Sequence, residues 1–382
     1  MSNVRDYVKN YGNVSFTEKP FCDEDNVALC MSFYMPLDKA VSPSFDEAPV
    51  PFEKACKDLF ALRGNKHKPV GMVLVKGISK LLMEMAEQKR YQEIQVVACT
   101  ETFETKPAVQ FNAATYLLPT GEIVVLFRGT DDTLTGWKED YDILASRDNV
   151  PSGPLSVAYL GEVAKRYDGD IIVCGHSKGG YVAQYAVFNS PKDVRDRVKY
   201  LYNNDGPGFA TYDYYTGGVY EEIKPRYKHF VPENSMIGMM LMHDDDYTPV
   251  KSTRITGAMQ HDMLTWKFNG DKLMTCADTK KMSKVLDMTL YEMASTLPEE
   301  KIQAVEKMLA AVIDGTGQRG LLDVKSHVGA SLKGGKQGFK SLDEETKQLL
   351  KATVKDAKGM YKRAKKAVKE GNFKTAAQRA AE

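Results

Sequence analysis

Apolar and polar positions along this chain follow two periods, and the alternation between them predicts strands interleaved with helices. Residues 69–90 (PVGMVLVKGISKLLMEMAEQKR) carry an apolar stripe at helical spacing behind the basic turn GNKHK. Residues 93–99 (EIQVVAC), 108–118 (AVQFNAATYLL) and 122–128 (EIVVLFR) are rich in β-branched and aromatic residues and read as strands. Pro119-Thr120-Gly121 marks a hairpin turn between the last two. Helical spacing returns over 155–167, and Asp168-Gly169 then turns the chain into the run 170–174 (DIIVC), which suits a strand covered on both faces. A helix is predicted from about Lys178 to Asn189 and a strand from Val198 to about Asn204. The apolar run 236–242 (MIGMMLM) reads as a further buried strand. Strands alternating with helices of this length predict βαβ units and a mostly parallel sheet, an α/β fold with the 108–128 hairpin on one side.

The pattern changes after about Thr279. Residues 298–313 and 343–369 have helical spacing, separated by a Gly- and Lys-rich stretch, with no internal repeat. The expected organisation is a domain over 1–290 and a helical extension over 291–382. Its 382 residues are 43% hydrophobic and 27% charged, which excludes collagenous, disordered and coiled-coil classes. The net charge of +1 gives no global attraction to nucleic acid, so no nucleic-acid partner is expected. No run approaches the roughly 18 apolar residues of a membrane span, and the first residues lack the apolar core of a signal peptide. The expected location is the cytoplasm. The six cysteines are scattered, with no pair at ligand spacing, so reduced thiols and no metal site are expected. Nothing in the pattern calls for a cofactor.

The chemistry is concentrated at Gly175-His176-Ser177-Lys178-Gly179, a G-x-S-x-G directly after a strand and before a helix. A serine on such a sharp turn projects its hydroxyl above the sheet, and the crowded backbone requires glycines two positions either side. The following helix N-terminus presents N–H groups to a developing negative charge. Ser177 then needs a histidine to take its proton and a carboxylate to hold that histidine's tautomer. In the order serine, acid, histidine, His261 is the expected base. The acid is expected after the late strand 236–242, within Asp244-Asp245-Asp246, and Asp246 is favoured. Asp205, at the end of the earlier strand, is the competing acid, and each of these aspartates also suits a plain turn. The oxyanion donors are expected to be the Lys178 N–H and, from the loop after strand 122–127, the Thr130 N–H.

Phe127-Arg128-Gly129-Thr130, Gly136-Trp137-Lys138-Glu139-Asp140 and Gly175-His176-Ser177-Lys178-Gly179-Gly180 resemble the class 3 lipase pattern. The chain more closely resembles the Mbeg1-like group of bacterial lipase-like α/β hydrolases. Tyr11-Gly12-Asn13-Val14-Ser15-Phe16, Glu18-Lys19-Pro20-Phe21, Asn204-Asp205-Gly206-Pro207-Gly208-Phe209, Gln260-His261-Asp262 and Trp266 carry that likeness. The resemblance spans roughly residues 8–315. It implies an α/β-hydrolase fold, Ser177 as nucleophile, His261 as base, and Thr130 with Lys178 as oxyanion donors. Class 3 lipases place the acid in Asp-x-Val-Pro, which Asp246-Tyr-Thr-Pro-Val approximates. Trp137 and Asp140 are expected to brace the oxyanion loop.

The function expected is a serine hydrolase acting on a small-molecule or lipid ester. Its alternatives are an inactive hydrolase-fold binding protein and a membrane-associated adaptor. The Tyr-rich stretch 207–223 is either packed surface or a lid over an acyl pocket. From Ser341 the chain carries 11 Lys/Arg and 6 Asp/Glu, net +5, with Lys351, Lys355, Lys358, Lys362, Lys365, Lys366 and Lys369 at helical intervals. A solvated helix is the preferred reading of that tail, and weak contact with an anionic membrane surface is the other.

Overall fold

The structure is a computed structural model that describes residues 2–63, 77–105, 108–130, 136, 138–140, 143, 150–316 and 328–380. Its centre is an eight-stranded sheet in sequential order: β1 (Val50–Pro51), β2 (Gln95–Thr105), β3 (Ala108–Leu117), β4 (Ile123–Phe127), β5 (Ile171–His176), β6 (Val198–Asn204), β7 (Tyr227–Pro232) and β8 (Thr248–Val250). β1 to β4 pair antiparallel and β4 to β8 pair parallel, so the hairpin lies on one side of a parallel sheet. Helices flank both faces, and the architecture is α/β and hydrolase-like.

The central strands β4 and β5 are apolar from Ile123 to Phe127 and from Ile171 to Cys174 because both faces are covered. On β4 and β5, Val124, Leu126, Ile172 and Cys174 enter one core with α1 (Val4–Tyr11), α2 (Asp23–Ser32), α3 (Phe52–Arg63) and α4 (Ile78–Ala86). Ile123, Val125, Phe127, Ile171 and Val173 enter the opposite core with α5 (Ser152–Arg166) and α6 (Lys178–Phe188). Period-two alternation thus sorts each strand between two buried layers. Of the helix expected over 69–90, residues 69–76 lie outside the described residues, and α4 occupies part of the remainder.

One strand is not where the apolar pattern put it. Residues 236–242 run as turns, with Leu241 at φ 66° and a single bridge from Met242 to Phe209. The sheet instead takes Tyr227–Pro232, where the polar Lys228 and His229 interrupt the apolar signal. Pro232 closes that strand, because proline has no N–H to continue the ladder. The stretch 207–223 is packed rather than open: Phe209, Tyr215 and Tyr220 are buried, and Phe209 stacks on Tyr214 at 3.8 Å.

After the sheet come α7 (Lys281–Thr296), α8 (Glu299–Thr316), α9 (Val328–Ser341), α10 (Glu344–Lys369) and α11 (Ala376–Ala380). Asp343 caps α10 by accepting from the Thr346 N–H at 2.7 Å, and Lys366 and Lys369 oppose the dipole in its last turn. The apolar face of α10 packs on α7 and α8, burying Leu350, Met360 and Val368, and its lysines are left exposed. No described helix is long and apolar enough to cross a membrane. All six cysteines are free thiols.

A charge cluster fastens the chain's end to this body. Asp245 accepts from the Ala376 and Ala377 N–H groups at 3.0 and 3.1 Å, and Arg379 pairs with buried Asp287. Asp287 also faces His243 Nε2 at 3.3 Å, while His243 Nδ1 donates to the Asp244 carbonyl at 2.8 Å. Burial opposes the charge on His243, but Asp287 and the Asp244 carbonyl overcome it and push the imidazole up from 6.5 to about 9. A folded pKa above the unfolded one means that this contribution to stability is full below about pH 6.5 and is lost as pH rises through 9. Urea unfolding of wild type against His243→Gln should therefore differ most below pH 6.5 and converge above pH 9. Parallel curves across that window would refute the assignment.

Candidate active site

Ser177 sits at the bend between β5 and α6 with φ 59° and ψ −132°, a left-handed conformation unfavourable for any residue with a Cβ. The turn is tight enough that a Cβ on Gly175 would stand 1.9 Å from the Gly179 carbonyl oxygen, which explains the glycines of G-x-S-x-G. The Ser177 N–H donates to the Asn204 carbonyl at 3.0 Å, and the Asn204 amide donates to the Gly175 carbonyl at 2.9 Å. Asn26 and Asn204 then exchange a pair of 2.9 Å amide hydrogen bonds. The bend is thereby held from β6 and from α2. The sequence carried no sign of Asn26, whose partner is 178 residues away.

Asp205 follows Asn204 directly and is also left-handed, at φ 50°. Its Oδ2 accepts from His261 Nδ1 at 2.6 Å, and its Oδ1 accepts from the Ser235 hydroxyl and from the Gly238 N–H at 3.0 Å. The carboxylate is completely buried, and each of its oxygens holds at least one donor. With its Nδ1 proton given to Asp205, neutral His261 carries a bare Nε2. That nitrogen is buried and has no hydrogen-bond partner among the described residues.

The expected acid Asp246 is elsewhere. Its carboxylate pairs with Lys224 at 2.7 Å and accepts from the Tyr220 hydroxyl at 3.2 Å, in a half-exposed position. Asp244 accepts from His229 Nδ1 at 2.7 Å, and Asp245 caps α11. The partner of His261 is the competing candidate, Asp205. The reason is the misplaced strand: with 236–242 in turns, the acidic run no longer follows a strand end beside His261, whereas Asp205 does follow β6.

His176 contacts the backbone of His261. Its Nε2 is 2.8 Å from the His261 carbonyl oxygen, which can only accept, so Nε2 carries the proton. Nδ1 is then the acceptor for the Tyr34 hydroxyl, 2.8 Å away. Burial, with His261 close by, holds His176 well below its ordinary pKa of 6.5, and the two rings lie 4.5 Å apart.

The expected oxyanion loop ends β4. A Cβ on Gly129 would meet the Tyr34 hydroxyl at 2.3 Å, the His176 carbonyl at 2.6 Å and the Ser177 Cβ at 3.1 Å, so only glycine allows the loop this close. The buried Thr130 donates its hydroxyl to Asp140, whose two oxygens are 2.7 and 2.6 Å away. Burial pushes the Asp140 carboxyl up to about 6, opposed by Lys178 and the Thr130 hydrogen bond. Trp137, expected to brace the same loop, lies outside the described residues, as do residues 131–135.

Lys178 occupies the first position of α6, where its backbone N–H has no acceptor within the helix. Its side chain runs away from solvent into a buried pair with Glu139 at 2.9 Å, and also donates to the Gln110 carbonyl at 2.6 Å and Oε1 at 2.8 Å. Glu139 further accepts from the Gln110 and Ser152 N–H groups. Among the described residues no cluster of three or more His, Cys, Asp or Glu is arranged to hold a metal ion.

The arrangement offers a strained serine, a histidine whose second nitrogen is held by a carboxylate, and a glycine-walled loop against the serine. No curated protein sequence matches the chain. The native propeptide complex of Rhizomucor miehei lipase is similar to it at 13% identity, with a TM-score of 0.30, covering 64% of this chain and 78% of that one. The Mbeg1-like family model matches residues 85–310, more than half of the sequence and the part that holds Ser177, Asp205 and His261. The chain belongs to the Mbeg1-like family.

Proposed function

We propose that this protein is a serine hydrolase of the lipase or esterase type, cleaving a small-molecule or lipid carboxylic ester through an acyl-enzyme on Ser177. The observation that carries this reading is the 2.6 Å pair between Asp205 and His261, joined through His176 to a serine at φ 59°. Ser177 Oγ attacks the ester carbonyl carbon as its proton passes to His261 Nε2, and Asp205 stabilises the imidazolium. The negative oxygen of the tetrahedral intermediate is met by the Lys178 N–H and the Thr130 N–H. The carbon–alkoxide bond breaks as His261 returns the proton to the alcohol. Water, deprotonated by the same nitrogen, then attacks the acyl carbonyl and releases the acid and free Ser177.

The Mbeg1-like family and the motif resemblance to class 3 lipases support hydrolysis in general, and the triad and the ester belong to this reading. A fluorophosphonate probe tests it on the intact protein. One adduct should form on Ser177 in wild type and none in Ser177→Ala, and p-nitrophenyl esters of graded chain length should be turned over only by wild type. Absence of both labelling and turnover in wild type would sink the reading.

A further inference from the structure

The turns after β7 donate to Asp205 and to Gln260, the residue before His261. Ser235 donates its hydroxyl to Asp205 Oδ1 at 2.5 Å, and the Gly238 N–H donates to the same oxygen. The Asn234 N–H donates to Gln260 Oε1 at 2.9 Å, one residue before His261. This loop is in turn clamped by the start of α7, well outside the strand ends. The Lys280 N–H donates to the Glu233 carbonyl at 2.6 Å, and its amine pairs with the Glu233 carboxylate at 2.9 Å. The Ser283 hydroxyl donates to the Ser235 carbonyl at 2.8 Å, and both serines are completely buried.

We infer that Ser283 is a positioning residue for the triad acid, acting through Ser235, so that the start of α7 supports the active site. The inference rests on the serine-hydrolase reading of Ser177, His261 and Asp205. Its physical content is a two-bond relay. Ser283 holds the Ser235 carbonyl, which fixes that residue's backbone and aims its hydroxyl at Asp205 Oδ1. A carboxylate that loses a donor keeps its charge less well satisfied, and it then favours the protonated form of the imidazole it faces. Loosening the relay therefore raises the pH at which His261 becomes a free base. Among the described residues, the other titratable groups around His261 include His176, Asp140 and Asp262, and none of them lies in α7.

The test is the rate of fluorophosphonate labelling of the full chain against pH, together with the His261 imidazole titration by NMR, which needs no activity. In Ser283→Ala the acid limb should move up by about half a pH unit, slowing labelling about threefold below the limb. Ser235→Ala should move it further, and the double variant no further than Ser235→Ala alone. Ser283→Thr keeps the hydroxyl and should restore the wild-type limb. Thr289→Ala, which removes a buried hydroxyl bonded only to the Val285 carbonyl of the same helix, should leave the limb in place even if it lowers stability. If Ser283→Ala does not fold, Ser283→Cys supplies a weak donor and should give the same direction of shift.

A Ser283→Ala limb and titration identical to wild type, while Ser235→Ala moves both, would overturn the inference alone. Wild-type protein that does not label at Ser177 would overturn the hydrolase reading, and the NMR titration would still decide whether Ser283 acts on His261.

Discussion

Replacing Asp205 by asparagine should lower ester hydrolysis by about 10⁴-fold with little change in fold, while Asp246→Asn should stay within about twofold of wild type. Asparagine tolerates the left-handed backbone at this position, where φ is 50°. Its carbonyl oxygen can still accept from Ser235 and the Gly238 N–H, which turns its amide NH₂ toward His261 Nδ1. Two donors cannot share that hydrogen bond. His261 must therefore present a bare Nδ1 to the amide and carry its proton on Nε2, where it can no longer accept one from Ser177. Asp246 reaches no part of this pair. Removing its charge loses a half-exposed contact with Lys224, worth about 0–1 kcal/mol at most. Steady-state kcat on a p-nitrophenyl ester measures both variants. Full activity in Asp205→Asn beside an inactive Asp246→Asn would reverse the assignment.

Glu139→Gln should destabilise the protein by about 3–5 kcal/mol, because it removes the carboxylate that pairs directly with the Lys178 ammonium in the interior. Lys178 and Glu139 are 1% and 0% exposed, so water cannot replace the lost partner. The glutamine amide also turns two donors into a site where Lys178, the Gln110 N–H and the Ser152 N–H already donate. Replacing both members, as Glu139→Gln with Lys178→Met, removes the ammonium as well and should recover much of the loss. Urea unfolding of the two single variants and the double gives the coupling. Equal stability of Glu139→Gln and wild type would show that the buried pair does not hold the start of α6. The same pair fixes the residue whose N–H is proposed to meet the oxyanion, so labelling of Ser177 should slow in the single variant even where it remains folded.

Most of the parallel sheet was legible because its strands are buried on both faces and bounded by glycine and proline. Helices expected at 155–167, 178–189, 298–313 and 343–369 begin and end within a few residues of those observed. Local signals failed at β7, whose Lys228 and His229 interrupt an apolar run, and at Met236–Met242, where turns rather than a strand bury Met239, Leu241 and Met242. That single exchange moved the expected acid from Asp205 to Asp246. Tyr34 and Asn26 carried no local signal at all, since each acts through a partner 142 or 178 residues away.

By itself the sequence determined the serine bend, because G-x-S-x-G between a strand and a helix is a steric requirement that only neighbouring residues impose. It determined the two-sided sheet in the same way, through short continuous apolar runs. Tertiary structure alone decided which carboxylate faces His261, how the buried Lys178 is neutralised, and that α7 reaches the loop behind Asp205. Those are contacts between segments far apart in the chain, and their geometry depends on how whole layers pack rather than on any spacing a linear pattern can carry.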